Sequence, residues 1–133
     1  MDADKRRFDL KDQTSQIIGC AMEVLNTLGH GLLEKPYERS LAVEFAARSI
    51  PFLVQPRFAV LYKGVNVGDY IPDLIAFDQV IVEIKCIDKI TPLEVGQVLN
   101  YLRIARLPVA LILNFRRSKL DWQRVALSDT NAN

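Results

Sequence analysis

The sequence predicts an α/β fold in which a mixed central β-sheet is flanked by helices. Three observations support this prediction. In the first part of the chain, apolar residues recur every three or four positions, which indicates amphipathic helices. From about residue 52 the pattern changes to strand-like runs bounded by proline and glycine. A single helical segment then separates two runs rich in Val, Ile and Leu, at 80–85 and 109–113. Strands joined in this way form a parallel, right-handed βαβ unit.

Two helices are predicted before the sheet. The first covers about 14–28 and ends at Gly29, which is a natural C-terminal cap. The second runs from residue 34 or 35 to residue 48. Pro36 lies in its first turn, where a missing backbone N–H does little harm.

The later elements are predicted from apolar runs and from the residues that interrupt them. Strands are expected at 52–60, 67–77, 80–85, 109–113 and 122–127, with a turn at 63–66 and a helix at 91–106. Pro51, Pro56 and Pro72 are expected at strand starts, at bulges or on an edge. Proline is confined to such places because it cannot donate a hydrogen bond to the strand ladder.

Length and charge limit the organisation of the chain and its partners. At 133 residues the chain can bury one core, so we predict a single domain at 14–127. A polar N-terminal tail is predicted at 1–13 and a frayed C-terminal tail at 128–133. Lys and Arg total 17 against 16 Asp and Glu, a formal net charge of +1. This balance excludes a global basic field, so any contact with nucleic acid must be local.

The remaining composition predicts a cytoplasmic protein without a membrane partner. The amino end is charged, and no apolar stretch approaches the roughly 18 residues of a spanning helix. Cys20 and Cys86 are too few and too far apart for a zinc site or a disulfide framework, and Cys20 is expected in the core. His30 lies between two glycines and is expected to be a turn residue rather than a general base.

Charged residues interrupt the segments that are expected to be interior strands. Asp73, Glu83 and Lys85 lie among Ile, Val and Leu, where an ionised side chain is costly unless it is paired or binds a metal. Glu83 and Lys85 share one face of their strand, while Ile84 points to the other face and turns its backbone carbonyl toward the charged edge. Two carboxylates, a carbonyl and an ammonium group suit Mg²⁺ or Mn²⁺, and phosphodiester hydrolysis uses such a site.

The register of two strands decides whether these groups can meet. A two-residue loop at Asp78-Gln79 would pair Asp73 with Ile84 and separate the two acids. An odd-length loop or a bulge would instead pair Asp73 with Glu83. The metal-site hypothesis requires the second arrangement, or a bend near Pro72 with the same effect.

Two further motifs accompany the acidic residues. Gln97 and Tyr101 lie four residues apart on one face of the predicted third helix. Upstream, Gly31-Leu32-Leu33-Glu34-Lys35-Pro36-Tyr37 has the form GxxExxY. With Pro72-Asp73 and Glu83-Ile84-Lys85, these motifs resemble the PD-(D/E)XK nuclease superfamily. The QxxxY pair is similar to that of RecB-type members, and GxxExxY is similar to the motif that names a small family within the superfamily.

The resemblance covers about 17–127 and implies a restriction-endonuclease-like core. The metal ligands that it implies are Asp73, Glu83, the carbonyl of Ile84 and Glu34. The catalytic residues that it implies are Lys85, Asp73, Glu83, Gln97 and Tyr101. In this scheme Lys85 activates water, while the glutamine and tyrosine hold the scissile phosphate or orient a ligand.

Several of these residues also have simpler explanations. Glu34 near a helix start can interact favourably with the helix dipole instead of facing a metal. Gln97 and Tyr101 also fit an ordinary amphipathic helix. The basic residues Arg116, Arg117 and Lys119 can reach a backbone phosphate or form a solvated turn.

Three functions are compatible with the sequence. The first is a Mg²⁺- or Mn²⁺-dependent nuclease that acts on nucleic acid, DNA rather than RNA. A homo-oligomeric state is also compatible with the sequence. The alternative is a catalytically silent interaction or regulatory module that keeps the nuclease fold. A small-molecule phosphohydrolase is the third, since a metal site alone does not name its phosphate.

Overall fold

A computed structural model describes residues 10–127 and contains three helices and seven strands within that range. In chain order these are α1 (Lys11–Leu28), α2 (Glu34–Ala47), β1 (Phe52–Val54), β2 (Phe58–Tyr62), β3 (Val65–Tyr70), β4 (Leu74–Ala76), β5 (Val80–Lys85), α3 (Pro92–Ala105), β6 (Val109–Asn114) and β7 (Asp121–Ala126). Five strands form one sheet in the order β1-β4-β5-β6-β7, and β2 and β3 form a separate hairpin. In the five-stranded sheet, β5 and β6 are parallel and the other neighbours are antiparallel. The predicted α/β class and mixed sheet are therefore confirmed.

The central sheet is covered on both faces, which explains why β5 and β6 are apolar nearly throughout. Helices α1 and α2 cover one face, where Ile17 and Phe45 join Ile84 in a buried cluster. Helix α3 covers the other face, where Leu102 joins Ile81. The alternation of side chains along β5 therefore sends Ile84 toward α1 and α2, and its neighbours toward α3.

Two long predicted strands are each divided in the structure. The segment predicted as 52–60 forms β1 in the main sheet and β2 in the hairpin, with Pro56 between them. The segment predicted as 67–77 forms β3 and β4, with Pro72 between them. Because proline fixes φ and lacks an N–H, each one ends a ladder where the chain moves from one sheet to the other.

The turns have backbone conformations that the sequence marks only in part. The β2–β3 hairpin turns at Lys63 and Gly64, both with positive φ, as a two-residue hairpin loop with the right twist requires. Helix α3 begins with the reciprocal hydrogen bonds of Thr91 and Glu94 that form a capping box. Gly29 caps α1 as predicted, and its N–H donates to the carbonyl of Leu25.

The ends of the described region differ slightly from the predicted domain limits. Helix α1 begins at Lys11, three residues before its predicted start, and Leu10 is buried in the core. Of the tail predicted at 1–13, residues 11–13 belong to α1, while residues 1–9 and the tail predicted at 128–133 lie outside the described residues. None of the helices within 10–127 is long and apolar enough to cross a membrane.

Candidate active site

The β4–β5 connection selects the register that brings the two acids together. Leu74 pairs with Val82 and Ala76 pairs with Val80, so the connection has three residues rather than two. Asp73 directly precedes Leu74, so this register brings it close to Glu83, on whose carboxyl group its charge acts. The odd-length loop depends on positive φ at two consecutive residues that are not glycine, Phe77 and Asp78.

Asp73 is held at the point where β4 begins. Its Oδ2 accepts a hydrogen bond of 2.7 Å from the backbone N–H of Ile84, and its carbonyl accepts one of 3.0 Å from the N–H of Gln55. In an antiparallel strand the N–H and C=O of one residue point toward the same neighbour. The Ile84 carbonyl is therefore turned toward the edge where Asp73 lies.

Glu83 is almost completely buried, with 7% of its surface exposed. The hydroxyl of Tyr70 donates a hydrogen bond of 2.6 Å to Glu83 Oε2. Burial raises the pKa of Glu83 to about 7, and the charge of Asp73 adds to this rise. The Tyr70 hydrogen bond and the positive charge of half-buried Lys85 act in the opposite direction. The carboxyl group is therefore held where its charge is costly without a cation.

The ionised form of Asp73 is also destabilised by its surroundings. Burial raises its pKa, and the neighbouring carboxyl groups of Glu38 and Glu34 raise it further, whereas the hydrogen bond from Ile84 lowers it. The site is thus an acidic cluster in which a bound cation would relieve both desolvation and mutual repulsion.

Glu38 is a member of this cluster that the sequence analysis missed. Only 6% of its surface is exposed. Its Oε2 accepts hydrogen bonds from Lys35 Nζ at 3.1 Å and from Gln55 Nε2 at 3.4 Å. The nearby carboxyl group of Glu38 also contributes to the raised pKa of Asp73. The available signal was periodicity, because position 38 shares a helix face with the buried residues Leu41 and Phe45.

Glu34 lies one helical turn before Glu38, at the start of α2. Its side chain is exposed, yet its charge acts on both Asp73 and Cys86. It therefore lies at the rim of the acidic cluster. Its role as a third metal ligand stays a prediction.

The QxxxY residues differ in how they relate to the acids. The Tyr101 ring stacks on the Tyr70 ring, with centroids 3.9 Å apart and planes 12° apart. Gln97 is exposed one turn earlier on α3. Tyr101 is thus connected to Glu83 by Tyr70, which stacks on one and donates a hydrogen bond to the other. No local sequence pattern marks Tyr70, because its place in the site depends on long-range packing.

The basic turn lies at the same end of the sheet as Lys85, because Lys85 pairs with Asn114 at the end of β6. Arg116 Nη2 lies 3.6 Å from Asp88 Oδ1. Arg117 donates a hydrogen bond to the carbonyl of Asp88. Lys119 is exposed in the same turn. The three basic residues are therefore near the candidate site, although both arginines already contact Asp88.

The tyrosine of GxxExxY has a structural role. Tyr37 donates a hydrogen bond of 2.7 Å to the Gly29 carbonyl and accepts one of 3.1 Å from the Leu32 N–H. Its ring stacks on Phe115, with centroids 4.6 Å apart. Gly31 has a φ of 103°, which a side chain would strain. These contacts fix the turn that contains exposed His30 against the end of β6.

The donor atoms in this cluster fit a hard divalent cation. Asp73, Glu83 and the Ile84 carbonyl offer only oxygen, and Mg²⁺ commonly takes one or two carboxylates and completes its octahedron with water and phosphate. Within residues 10–127, however, the structure assembles no group of three or more His, Cys, Asp or Glu side chains that could hold a metal.

A comparison with known families agrees with this geometry. The family model of the PD-(D/E)XK nuclease superfamily matches residues 11–125. No curated protein and no solved structure shows significant similarity to the chain. The matched range covers all three helices and the five strands of the main sheet except the last residue of β7, and it includes Asp73 and Glu83. The chain therefore belongs to the PD-(D/E)XK nuclease superfamily.

Proposed function

We propose that the protein is a Mg²⁺- or Mn²⁺-dependent nuclease that hydrolyses phosphodiester bonds in nucleic acid. The observation that supports this proposal is the β4–β5 register, which pairs Leu74 with Val82 and so brings the preceding Asp73 close to Glu83, on the strand that also bears Lys85. Membership of the GxxExxY family, a preference for DNA over RNA, a homo-oligomeric state and a cytoplasmic location remain predictions.

Each residue would have a separate role. Asp73, Glu83 and the Ile84 carbonyl would hold the ion, with Glu34 or Glu38 supporting it from α2. The bound ion would polarise a phosphoryl oxygen and acidify water. Lys85 would orient that water and stabilise the charge that develops on the phosphate.

The surrounding residues would position the substrate. Gln97 lies on the exposed part of α3, where it could contact the scissile phosphate. Tyr101 would act through its stacking on Tyr70. Arg116, Arg117 and Lys119 would contact backbone phosphates at the end of β6.

The test is a cleavage panel with purified protein. Single-stranded DNA, duplex DNA, RNA and a small phosphodiester are each incubated with Mg²⁺, with Mn²⁺ and with a chelator. The proposal expects metal-dependent cleavage of at least one nucleic acid. Cleavage of the small phosphodiester alone would indicate a phosphohydrolase, and no cleavage under any condition would reject catalysis.

A catalytically silent interaction module is the second candidate, and one structural observation favours it. Asp73 Oδ2 already accepts a hydrogen bond from the Ile84 N–H, so this carboxylate has a partner within the protein. In that case the buried acids would bind an ion only for stability, or would be neutral and share protons.

Tyr70 provides a test of how Glu83 is positioned. Tyr70→Phe keeps the ring that stacks on Tyr101 but removes the hydrogen bond to Glu83, so Mg²⁺ affinity should fall about 10- to 100-fold, as for other partners of metal ligands. Calorimetric titration with Mg²⁺ measures this change. Tyr62→Phe, which removes an exposed hydroxyl on the β2–β3 hairpin, is the control. Equal affinities for the two variants would contradict the positioning role.

A further inference from the structure

A groove with an apolar lining begins beside the candidate metal site. It lies between the start of α2 and the residue that follows β5, has a volume of about 610 Å³, and is lined by Leu32, Leu33, Glu34, Lys35, Pro36 and Cys86. An adjoining cavity of about 370 Å³ shares Leu32, Leu33 and Cys86, and extends to His30 and Arg116. The two spaces share three lining residues, and together they extend from Glu34, at the rim of the acidic cluster, to Arg116 in the basic turn.

The apolar residues of this groove are unusually open to solvent. Leu33 has 81% of its surface exposed and Leu32 has 42%. The backbone of Leu32 is held in place, because Tyr37 accepts a hydrogen bond from the Leu32 N–H and the Cys86 thiol lies 3.6 Å from the Leu32 carbonyl. A fixed, exposed apolar surface of this kind indicates a binding surface.

The two spaces carry charges of both signs, because Glu34 and Lys35 line the groove and Arg116 lines the adjoining cavity. Glu34 lies at the end near Asp73, where a metal would reverse the local charge. Arg116 lies at the other end and is 54% exposed in its side chain. An occupant with an apolar middle and an anionic group at each end would complement this surface, with one anion on the metal and the other on the arginine.

We propose that the groove binds the nucleotide next to the scissile phosphodiester in an unpaired strand. Its base and sugar would lie on Leu32 and Leu33, and its next phosphate would contact Arg116. This proposal rests on the proposed nuclease function and adds the substrate class, which is single-stranded nucleic acid.

Unpaired nucleic acid fits this surface better than a duplex. A duplex presents mainly phosphates, and its binding depends on many cationic contacts. The chain has a net charge of only +1, and the basic turn near the groove is partly neutralised by Asp88. A single strand exposes the faces of its bases, which can contact apolar side chains.

The test measures binding by fluorescence anisotropy with labelled oligodeoxythymidine and with a duplex of the same length. The protein carries Lys85→Met and is kept in Mg²⁺, so that substrate is bound without rapid cleavage. Leu33→Ser should weaken binding of the single strand about five- to tenfold without changing its salt dependence. Serine is favoured at the N-cap position that Leu33 occupies, so this variant should fold.

Arg116→Gln should also weaken binding. The slope of the logarithm of the binding constant against the logarithm of the salt concentration is negative, and it should become less steep by about 0.7, the value for one phosphate contact on a single strand. Leu61→Ser and Arg106→Gln are matched controls. Leu61 is an exposed leucine on the hairpin, and Arg106 precedes β6 whereas Arg116 follows it. Neither control should change affinity or slope.

The outcomes separate the groove from the nuclease proposal. If the wild-type protein cleaves nucleic acid but Leu33→Ser and Arg116→Gln bind like their controls, only the groove is rejected. Tighter binding of the duplex than of the single strand would reject the unpaired substrate. A protein that neither binds nor cleaves any nucleic acid would overturn both proposals.

Discussion

Replacement of Lys85 by methionine should lower the rate of phosphodiester cleavage by about 10²- to 10⁴-fold while leaving Mg²⁺ binding in place. Methionine keeps an apolar stem of similar length but removes the ammonium group that would orient water and stabilise developing charge. The positive charge of Lys85 already acts on Glu83, which places this group within electrostatic reach of the acidic cluster. Single-turnover cleavage in saturating Mg²⁺ measures the effect.

A second variant separates chemistry from metal binding. Asp73→Asn should abolish cleavage and also reduce the increase in melting temperature that Mg²⁺ produces, whereas Lys85→Met should keep most of that increase. Lys63→Met, on the turn of the β2–β3 hairpin, is the control and should behave as the wild type. Cleavage that survives both site substitutions would come from a contaminant, and equal Mg²⁺ shifts for wild type and Asp73→Asn would argue against the metal site.

The second large expected effect is a fall in the free energy of unfolding of the metal-free protein as pH rises. Burial raises the pKa of Glu83 from 4.5 to about 7. A raised pKa in an acid means that the folded state binds the proton more tightly than the unfolded state does. The stabilisation is therefore fully present below about pH 4.5 and is lost as pH rises through about 7, a total of about 3 kcal/mol. Asp73, whose pKa is also raised, changes stability in the same direction.

Glu83→Gln should remove this contribution. In a chelator, the free energy of unfolding from urea titrations should fall between pH 5 and pH 8 by about 2 to 3 kcal/mol more in the wild type than in the variant, most of the total. Mg²⁺ should restore wild-type stability more at pH 8 than at pH 5, because it competes with protons for the same carboxylates. Glu23→Gln, an exposed change on α1, is the control. Identical pH dependence in wild type and Glu83→Gln would show that Glu83 is not the group responsible.

The central part of the fold could be predicted because its physical cause is local. Strands β5 and β6 are buried on both faces, so continuous apolar runs mark them directly. The segments around Pro56 and Pro72 were harder, because proline is compatible with a strand start, a bulge or a break. In the structure β2 and β3 form a separate hairpin that packs against α3, a contact that no local pattern in these segments reports.

The candidate site could be predicted in part for the same reason. Asp73, Glu83 and Lys85 were identifiable as charges within apolar segments. The register of β4 and β5 could not be predicted. It depends on positive φ at Phe77 and Asp78, and neither residue is the glycine that normally marks such a conformation.

The partners of these residues were missed for a different reason. Glu38 reaches Asp73 from another element, and Tyr70 is fixed by the ring of Tyr101. These contacts depend on tertiary packing, which a motif in one segment does not report.

The two hydrogen bonds of Tyr37 have a kinetic consequence. By joining the Gly29 carbonyl to the Leu32 N–H, the hydroxyl orders the α1–α2 turn when the protein folds rather than when a ligand arrives. A ligand that uses this turn would meet a preorganised surface, and little conformational entropy would be lost on association. Its association rate should therefore be governed by diffusion and charge, with no slow isomerisation after encounter.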